Sequence, residues 1–380
     1  MKILITPDSF KDCLTASQVC DAICAGVSSA APDAEIVCVP MADGGEGTMQ
    51  ALVDGLGGRF VECKVEDPLG RTIKAEFGLT NNGIAVIEMA QASGLTLLTP
   101  EERDPLKTTT YGTGQLIKIA MDHGARDFII GLGGSATNDG GAGMAKALGF
   151  RFLDELGDEL PDGGAALSGL DLIDTSEVDL RIKSCRFTIA CDVDNPLLGP
   201  RGASVVFGPQ KGASPDDVEA LDLALSRYAE IIAYCMDVDV KAIPGAGAAG
   251  GLGAGCIAFL QAELKKGIDI VIDAVDLKEK IQNSALVITG EGRTDEQTFR
   301  GKTVFGVAEA AFQMGIPVIV ISGSYSKKAN ELLHHGVARL YAIMEDGMTL
   351  DEAMRDSSKL LKAKAEQAIH DYILEQERTV

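Results

Sequence analysis

The sequence predicts an α/β protein. Its two ends form a flavodoxin-like domain with a five-stranded parallel sheet, interrupted by a second, inserted α/β domain. Three observations predict this. Short apolar strands alternate with amphipathic helices at both ends of the chain; two strands read near the N-terminus and three near the C-terminus add to the five of such a sheet; and the stretch between them carries strands and helices of its own. The boundaries that follow are 1–63 plus 286–380 for the flavodoxin-like domain and 64–285 for the insert. A length of 380 residues suits two domains, or at most three, at roughly 150 residues each.

Residues 3–6 form the first strand, and the loop 7–14 leads to Thr15-Ala-Ser-Gln18, a capping box that opens a helix running toward Ser29. A second strand covers 35–39, and after the loop 40–45 a helix runs to about Leu56. At the other end, strands are expected at 285–289, 317–322 and 338–343, with helices near 304–314 and 328–335. The capping box Thr349-Leu-Asp-Glu352 is expected to start a long amphipathic C-terminal helix. In the insert, strands are read at 84–88, 128–130 and 187–190, and a helix at 215–236. There is no repeat of 20–50 residues and no low-complexity linker.

Composition narrows the function. Apolar residues make up 46% and charged residues 24%, which excludes a disordered or collagen-like chain. A net charge of −22 argues against nucleic acid or an anionic membrane surface as partner. Pro7 and Asp8 interrupt the first apolar stretch well short of a signal-peptide core, and no run approaches the ~18 residues of a bilayer span. The nine cysteines are odd in number, contain no C-x-x-C and read as reduced thiols, so a cytoplasmic protein is expected.

Ligands of open parallel sheets bind beyond the carboxyl ends of the strands. The loops there carry Asp8, Ser9 and Lys11; Asp43, Glu46 and Thr48; Glu291, Arg293, Thr294 and Asp295; and then Ser-Gly-Ser-Tyr-Ser. Carboxylates at three neighbouring strand ends repel one another unless a cation lies among them, and Mg²⁺ is the natural one. The insert offers Ile129–Gly143 with six glycines in its last thirteen residues, including Gly133, Gly134, Ser135, Asn138 and Asp139. Such a loop lets backbone N–H groups approach a phosphate. Further candidates are Asp192, Asp194 and Asn195 after the strand at 187–190, Lys211 in FGPQKG, and Gly247, Gly250 and Gly251 in a second glycine cluster. Among the cations, Arg103 and Arg293 sit beside turns and suit a carboxylate or phosphate.

Three strings mislead. Gly131, Gly133 and Ala136, with Asp154 downstream, fit a dinucleotide fingerprint, but Asn138–Gly141 falls where its helix should already run. Gly245, Gly247 and Gly250 follow Pro244 and a poor strand. Gly301-Lys-Thr303 resembles a P-loop, but Glu296 stands in place of its first glycine.

The motifs PDSFK, MADGGEGT, IEMAQASGL, RDPLKTTTYGTG, GGSATNDGGAGM, CDVDNPL, GPQKGAS, PGAGAAGGLGAG and TGEGRTD occur in this order, and the chain closely resembles bacterial glycerate kinases of the type 1 family from Lys2 to the C-terminal helix. Cys13, before Leu14, departs from the small polar residue usual there and leaves Lys11 in place. The resemblance implies a flavodoxin-like domain interrupted by a second α/β domain with the active site between them. It also implies transfer of a phosphoryl group from ATP, with Mg²⁺, to D-glycerate, giving 2-phosphoglycerate in glyoxylate or aldarate breakdown.

On that basis the glycine loops (Gly133, Gly134, Ser135, Asn138, Gly247, Gly250, Gly251) and Ser9 are expected to hold phosphates. The metal falls to some of Asp8, Asp43, Glu46, Asp139 and Asp295, with Lys11 offsetting charge on the transferring group. Arg103 or Arg293 grips the glycerate carboxylate, and Asp192 accepts the proton of the C2 hydroxyl. The competing readings are the same kinase giving 3-phosphoglycerate, a phosphatase with Asp192-Val-Asp194 as nucleophile motif, an NAD-dependent dehydrogenase and a non-catalytic binding module. Monomer and homodimer stay open.

Overall fold

The computed structural model describes residues 1–45 and 47–379, which fall into two compact units. The first comprises Met1–Asp43, Gln50–Gly57 and Ile268–Val380. Its five strands are all parallel, in the spatial order Val337–Ala342, Val318–Ser322, Leu286–Thr289, Lys2–Ile5 and Glu35–Cys38. Numbered along the chain this is 2-1-3-4-5, the flavodoxin order, so the sheet reverses direction of growth between Lys2–Ile5 and Leu286–Thr289. Ile3 faces Leu286 and Ile5 faces Ile288 across that junction. Ile3, Leu4, Ile5, Leu286, Val287, Ile288 and Val318 to Ile321 are all fully buried, which is why these strands read as unbroken apolar runs rather than as alternation.

The helix Ala16–Ala30 begins at the expected capping box: the Gln18 N–H donates to Thr15 Oγ1, and Gln18 Oε1 accepts from the Thr15 N–H. On this helix Gly26 has to be glycine, because a Cβ would stand 2.2 Å from the Lys362 carbonyl oxygen of the C-terminal helix packed against it.

Two expectations are corrected in this unit. The capping box at Thr349 starts only the short helix Leu350–Arg355; the chain leaves helical geometry at Asp356, and a separate helix runs over Ser357–Thr379. At the break, Cys13 Sγ lies 3.3 Å from the Met354 carbonyl oxygen and 3.1 Å from Ser357 Oγ. The helix expected near 328–335 is a 3₁₀ helix over Lys327–His334. Its buried residues, Ala329 and Leu332, are three apart, the period of that tighter helix.

The second unit comprises Gly44–Met49 and Gly58–Gly267. Its six-stranded sheet has the order Glu263–Lys265, Arg186–Ala190, Asp127–Gly131, Ile84–Glu88, Thr72–Thr80, Gly58–Glu66. The first four strands are parallel, and the last two form an antiparallel hairpin. The sequence does not predict this hairpin, and its strand Gly58–Glu66 runs through position 63, the expected domain border. That strand buries only Val65 fully and carries Arg59, Glu62, Lys64 and Glu66, so its hydrophobic alternation is faint. The helix Pro215–Met236 forms as expected, with Ser214 capping Asp217 and Pro215 in the first turn. Each unit has its own hydrophobic core. Among the described residues, no helix is long and apolar enough to cross a membrane.

Candidate active site

In the first unit, the loops after Lys2–Ile5 and Leu286–Thr289 leave the sheet at the topological switch point, where crossovers diverge and leave a crevice. The Asp8 N–H donates to the Gly290 carbonyl at 2.8 Å, which holds the two loops together. The Asp8 carboxylate accepts from the Ser9 N–H at 2.6 Å and from the Thr303 hydroxyl. Burial, and then the negative charge of Asp43, push its pKa up to about 6 despite these hydrogen bonds.

Glu291, 6% exposed, accepts from Thr298 Oγ1 at 2.6 Å. Burial carries its pKa up to about 7, with Asp8 adding to the rise and Thr298 and Lys302 opposing it. Thr303 comes from the rejected Gly301-Lys-Thr303 string: no P-loop forms, yet its hydroxyl reaches Asp8.

The remaining expected residues of this unit are less engaged with that cluster. Asp295 serves its own turn, accepting from the Gln297 N–H at 2.8 Å and lying 3.3 Å from Arg293 Nε. Arg293 and Lys11 are exposed. Glu46 lies outside the described residues.

The second unit holds a cavity of about 440 Å³, a size ordinary for small-molecule sites, lined by Gly44, Gly45, Gly133, Gly134, Ser135 and Asp192 among others. Asp192 follows the strand Arg186–Ala190 and accepts from the Gly267 N–H at 3.0 Å. Gly133 and Gly134 are exposed in a turn directly after Asp127–Gly131, and a Cβ on Gly133 would meet nothing within 4 Å. No helix begins until Ala142, so the dinucleotide fingerprint at Gly131 has no helix to open. Its supposed ribose ligand, Asp154, instead accepts from Leu156 and Asp158 N–H groups in a turn. Asp194 pairs with Arg201 at 2.6 Å.

The rest of the glycine-rich loop is turned into the protein. Asn138 is fully buried, its Nδ2 donating to Ser204 Oγ at 3.0 Å, while its Oδ1 and the Thr137 hydroxyl are buried without partners. Asp139, also buried, accepts from the Thr110 N–H and hydroxyl and from the Gly141 and Gly143 N–H groups. Burial raises its pKa and those four bonds pull it down.

The second glycine cluster serves close packing. The Gly247 N–H donates to the Asn195 carbonyl and the Gly251 N–H to the Gly247 carbonyl. Gly250, at φ +67°, passes so near Thr137 that a Cβ would stand 1.9 Å from its carbonyl oxygen. In this geometry the N–H groups of Gly247 and Gly251 are spent on the protein itself. Arg103 has its Nε buried without a partner, next to Gly212, whose Cβ would stand 2.4 Å from the Arg103 carbonyl oxygen.

Among the described residues, no three His, Cys, Asp or Glu side chains are arranged to hold a metal. Asp139 does not fit a metal ligand, because its oxygens are filled by the four internal donors. Asp8 and Asp43 do fit Mg²⁺. They are all-oxygen donors whose charges oppose one another, and Mg²⁺ is commonly held by one or two carboxylates, with substrate phosphates and water completing its shell.

Comparison with known proteins agrees with the sequence resemblance. The family model described as the glycerate kinase family matches residues 3–373. The chain is 51% identical over 364 residues to a glycerate kinase of Halalkalibacterium halodurans, covering 96% of each. It is 51% identical over 356 residues to the glycerate 2-kinase of Escherichia coli K12, covering 93% of each. A crystal structure described as glycerate kinase 2 of Salmonella typhimurium LT2 matches with a TM-score of 0.92 at 47% identity, over 99% of each chain.

Proposed function

Since the chain belongs to the glycerate kinase family, we propose that it transfers the γ-phosphoryl group of ATP to the C2 hydroxyl of D-glycerate, forming 2-phosphoglycerate in the breakdown of glyoxylate or aldarates. It works in the cytoplasm, and the chain organisation is a flavodoxin-like domain interrupted by a second α/β domain, with the borders expected at 63 and 286 moved to the compact-unit bounds near 57 and 268. The observation that carries the residue assignment is the cavity that Asp192 shares with the Gly133–Gly134–Ser135 turn.

Phosphoryl transfer demands position and charge balance more than covalent chemistry. The backbone N–H groups of Gly133, Gly134 and Ser135 orient phosphate oxygens. Asp192 orients the substrate hydroxyl and accepts its proton. Arg103, whose guanidinium keeps an unpaired Nε, takes the glycerate carboxylate in preference to Arg293, which already lies beside Asp295. Asp8 and Asp43 would hold Mg²⁺, whose chemistry there would be to neutralise phosphate charge; Lys11 and Ser9 lie in the same loop as Asp8 and add a cation and a hydroxyl.

The test is to incubate the protein with ATP and Mg²⁺, with and without D-glycerate, and to follow ADP. Coupling the product to enolase separates 2-phosphoglycerate, which enolase consumes directly, from 3-phosphoglycerate, which it does not. Phosphate release that ignores glycerate points to a phosphatase, and ADP formation that requires glycerate supports the kinase.

A further inference from the structure

Two motifs, FGPQKG and PGAGAAGGLGAG, converge on a single atom: the carbonyl oxygen of Thr137. Lys211, on the 3₁₀ helix Pro209–Lys211, sends its Nζ to within 2.6 Å of that oxygen. Gly250 approaches it so closely that no side chain would fit. The neighbouring carbonyls are held as well. Ala136 O accepts from Thr108 Oγ1, Gly140 O from the Tyr228 hydroxyl, and Gly134 O from the Leu95 N–H. Of the described loop residues after Gly131, the first four, Leu132 to Ser135, border the cavity that holds Asp192.

Lys211 is an expensive residue for this purpose. It is 1% exposed, bonded to the Thr137 carbonyl and within reach of the charge of Asp139, and the Thr137 hydroxyl and Asn138 Oδ1 of the same loop are buried without partners. Burial depresses its pKa to about 7, against the favourable charge of Asp139. A buried amine of this kind costs stability that an apolar side chain of similar length would not. Either protonation state can donate to a carbonyl, so the bond to Thr137 persists whether or not the amine is charged.

We propose that Lys211 is a positioning residue for phosphoryl transfer: by fixing the Thr137 carbonyl against Gly250, it sets the orientation of the Gly133–Ser135 turn toward the substrate. The inference rests on the assignment of that turn to the phosphates. It goes further by naming what holds the turn in register. A displacement of about 1 Å at a reacting group costs on the order of 100-fold in rate, which is the size of effect expected here.

The experiment compares wild type, Lys211→Met and Lys211→Gln by three readouts: thermal midpoint, kcat and KM for both substrates, and hydrogen exchange of the 133–141 amides without substrate. Methionine removes the donor, and the midpoint is expected to hold or rise while exchange in 133–141 quickens. Its kcat falls by about 100-fold with each KM within about threefold. Glutamine keeps an N–H donor and recovers at least about tenfold of the lost kcat.

A Lys211→Met protein with wild-type exchange and kcat within about threefold of wild type overturns the proposal, as does a folded Lys211→Gln no more active than folded Lys211→Met. Should the methionine variant not fold, Lys211→Leu, which also removes the donor, takes its place: quicker exchange with reduced kcat supports the proposal, and wild-type exchange with kcat within about threefold of wild type ends it. Exchange is read without substrate, so a wild-type protein with no glycerate-dependent ADP formation rejects the kinase reading and leaves the structural half of the inference separately measurable.

Discussion

The carboxylate of Asp139 takes two hydrogen bonds of 2.8 Å from one residue, Thr110, through its backbone N–H and its hydroxyl. The same Thr110 hydroxyl accepts from the Met144 N–H at 2.9 Å, so a single threonine links the glycine-rich loop to two helix starts, Tyr111–Asp122 and Ala142–Ala147. A carboxylate at helix N-termini is favourably placed, since unpaired N–H groups and the helix dipole point toward it. Asp139 therefore acts as an internal cap that builds the loop.

Replacing Asp139 with alanine strands three backbone N–H groups and a hydroxyl in the interior. We expect a loss of about 3–5 kcal/mol of unfolding free energy, read from urea denaturation by far-ultraviolet circular dichroism. The chain has no tryptophan, so indole fluorescence offers no signal. A loss below about 1 kcal/mol would show that these donors find other partners.

Gly250→Ala places a methyl group 1.9 Å from the Thr137 carbonyl oxygen and forces alanine to φ +67°. The expected cost is about 2–4 kcal/mol, with kcat reduced as the loop shifts. By contrast Gly133→Ala, with open space around the Cβ position, should change the thermal midpoint little.

Stability should vary with pH in two opposed windows. Glu291 has its pKa raised from 4.5 to about 7, so between those values the folded protein binds more protons than the unfolded chain, and stability falls as pH rises. Lys211 has its pKa lowered from 10.5 to about 7, so above 7 the unfolded chain binds more protons, and stability rises toward pH 10.5. Unfolding midpoints measured across the range should keep in Glu291→Gln only the part of the first slope below about pH 6, which Asp8, raised from 3.8 to about 6, still supplies, and should lose the second slope in Lys211→Met.

Asp192→Asn keeps the shape of the side chain and removes the proton acceptor. A fall of about 10²–10⁴-fold in kcat is expected, with glycerate binding retained. Near-normal turnover in this variant would move the general base elsewhere, and the Asp8–Glu291 pair at the switch point would be the next to test.

The strands of the first unit were readable because they are buried on both faces and so appear as continuous apolar runs, as in Val318–Ser322. The hairpin Gly58–Glu66 with Thr72–Thr80 was not, since most of its first strand is partly or fully exposed and its charges mask the alternation. The capping box at Thr349 is legible in the sequence, but the stop at Asp356 falls where Cys13, 341 residues from Met354 along the chain, meets the helix end, and no local rule contains such a contact. Among the site residues, the acids at strand ends could be picked out by position. Which of them gather could not: Asp8 feels Asp43, whereas Asp295 closes a turn of its own.

The sequence by itself determined the family, the alternation of strands and helices, and the loops in which polar residues collect, because periodicity, caps and long motifs are local properties of the chain. Only the tertiary structure decided what each glycine and acid in those loops does. Gly133 borders a cavity while Gly250 yields to a carbonyl; Asp192 lines that cavity while Asp139 is consumed by four internal donors. The physical reason is that burial and hydrogen-bond satisfaction depend on which distant segments meet, and residues of the same type at similar places in a motif are told apart by those meetings alone.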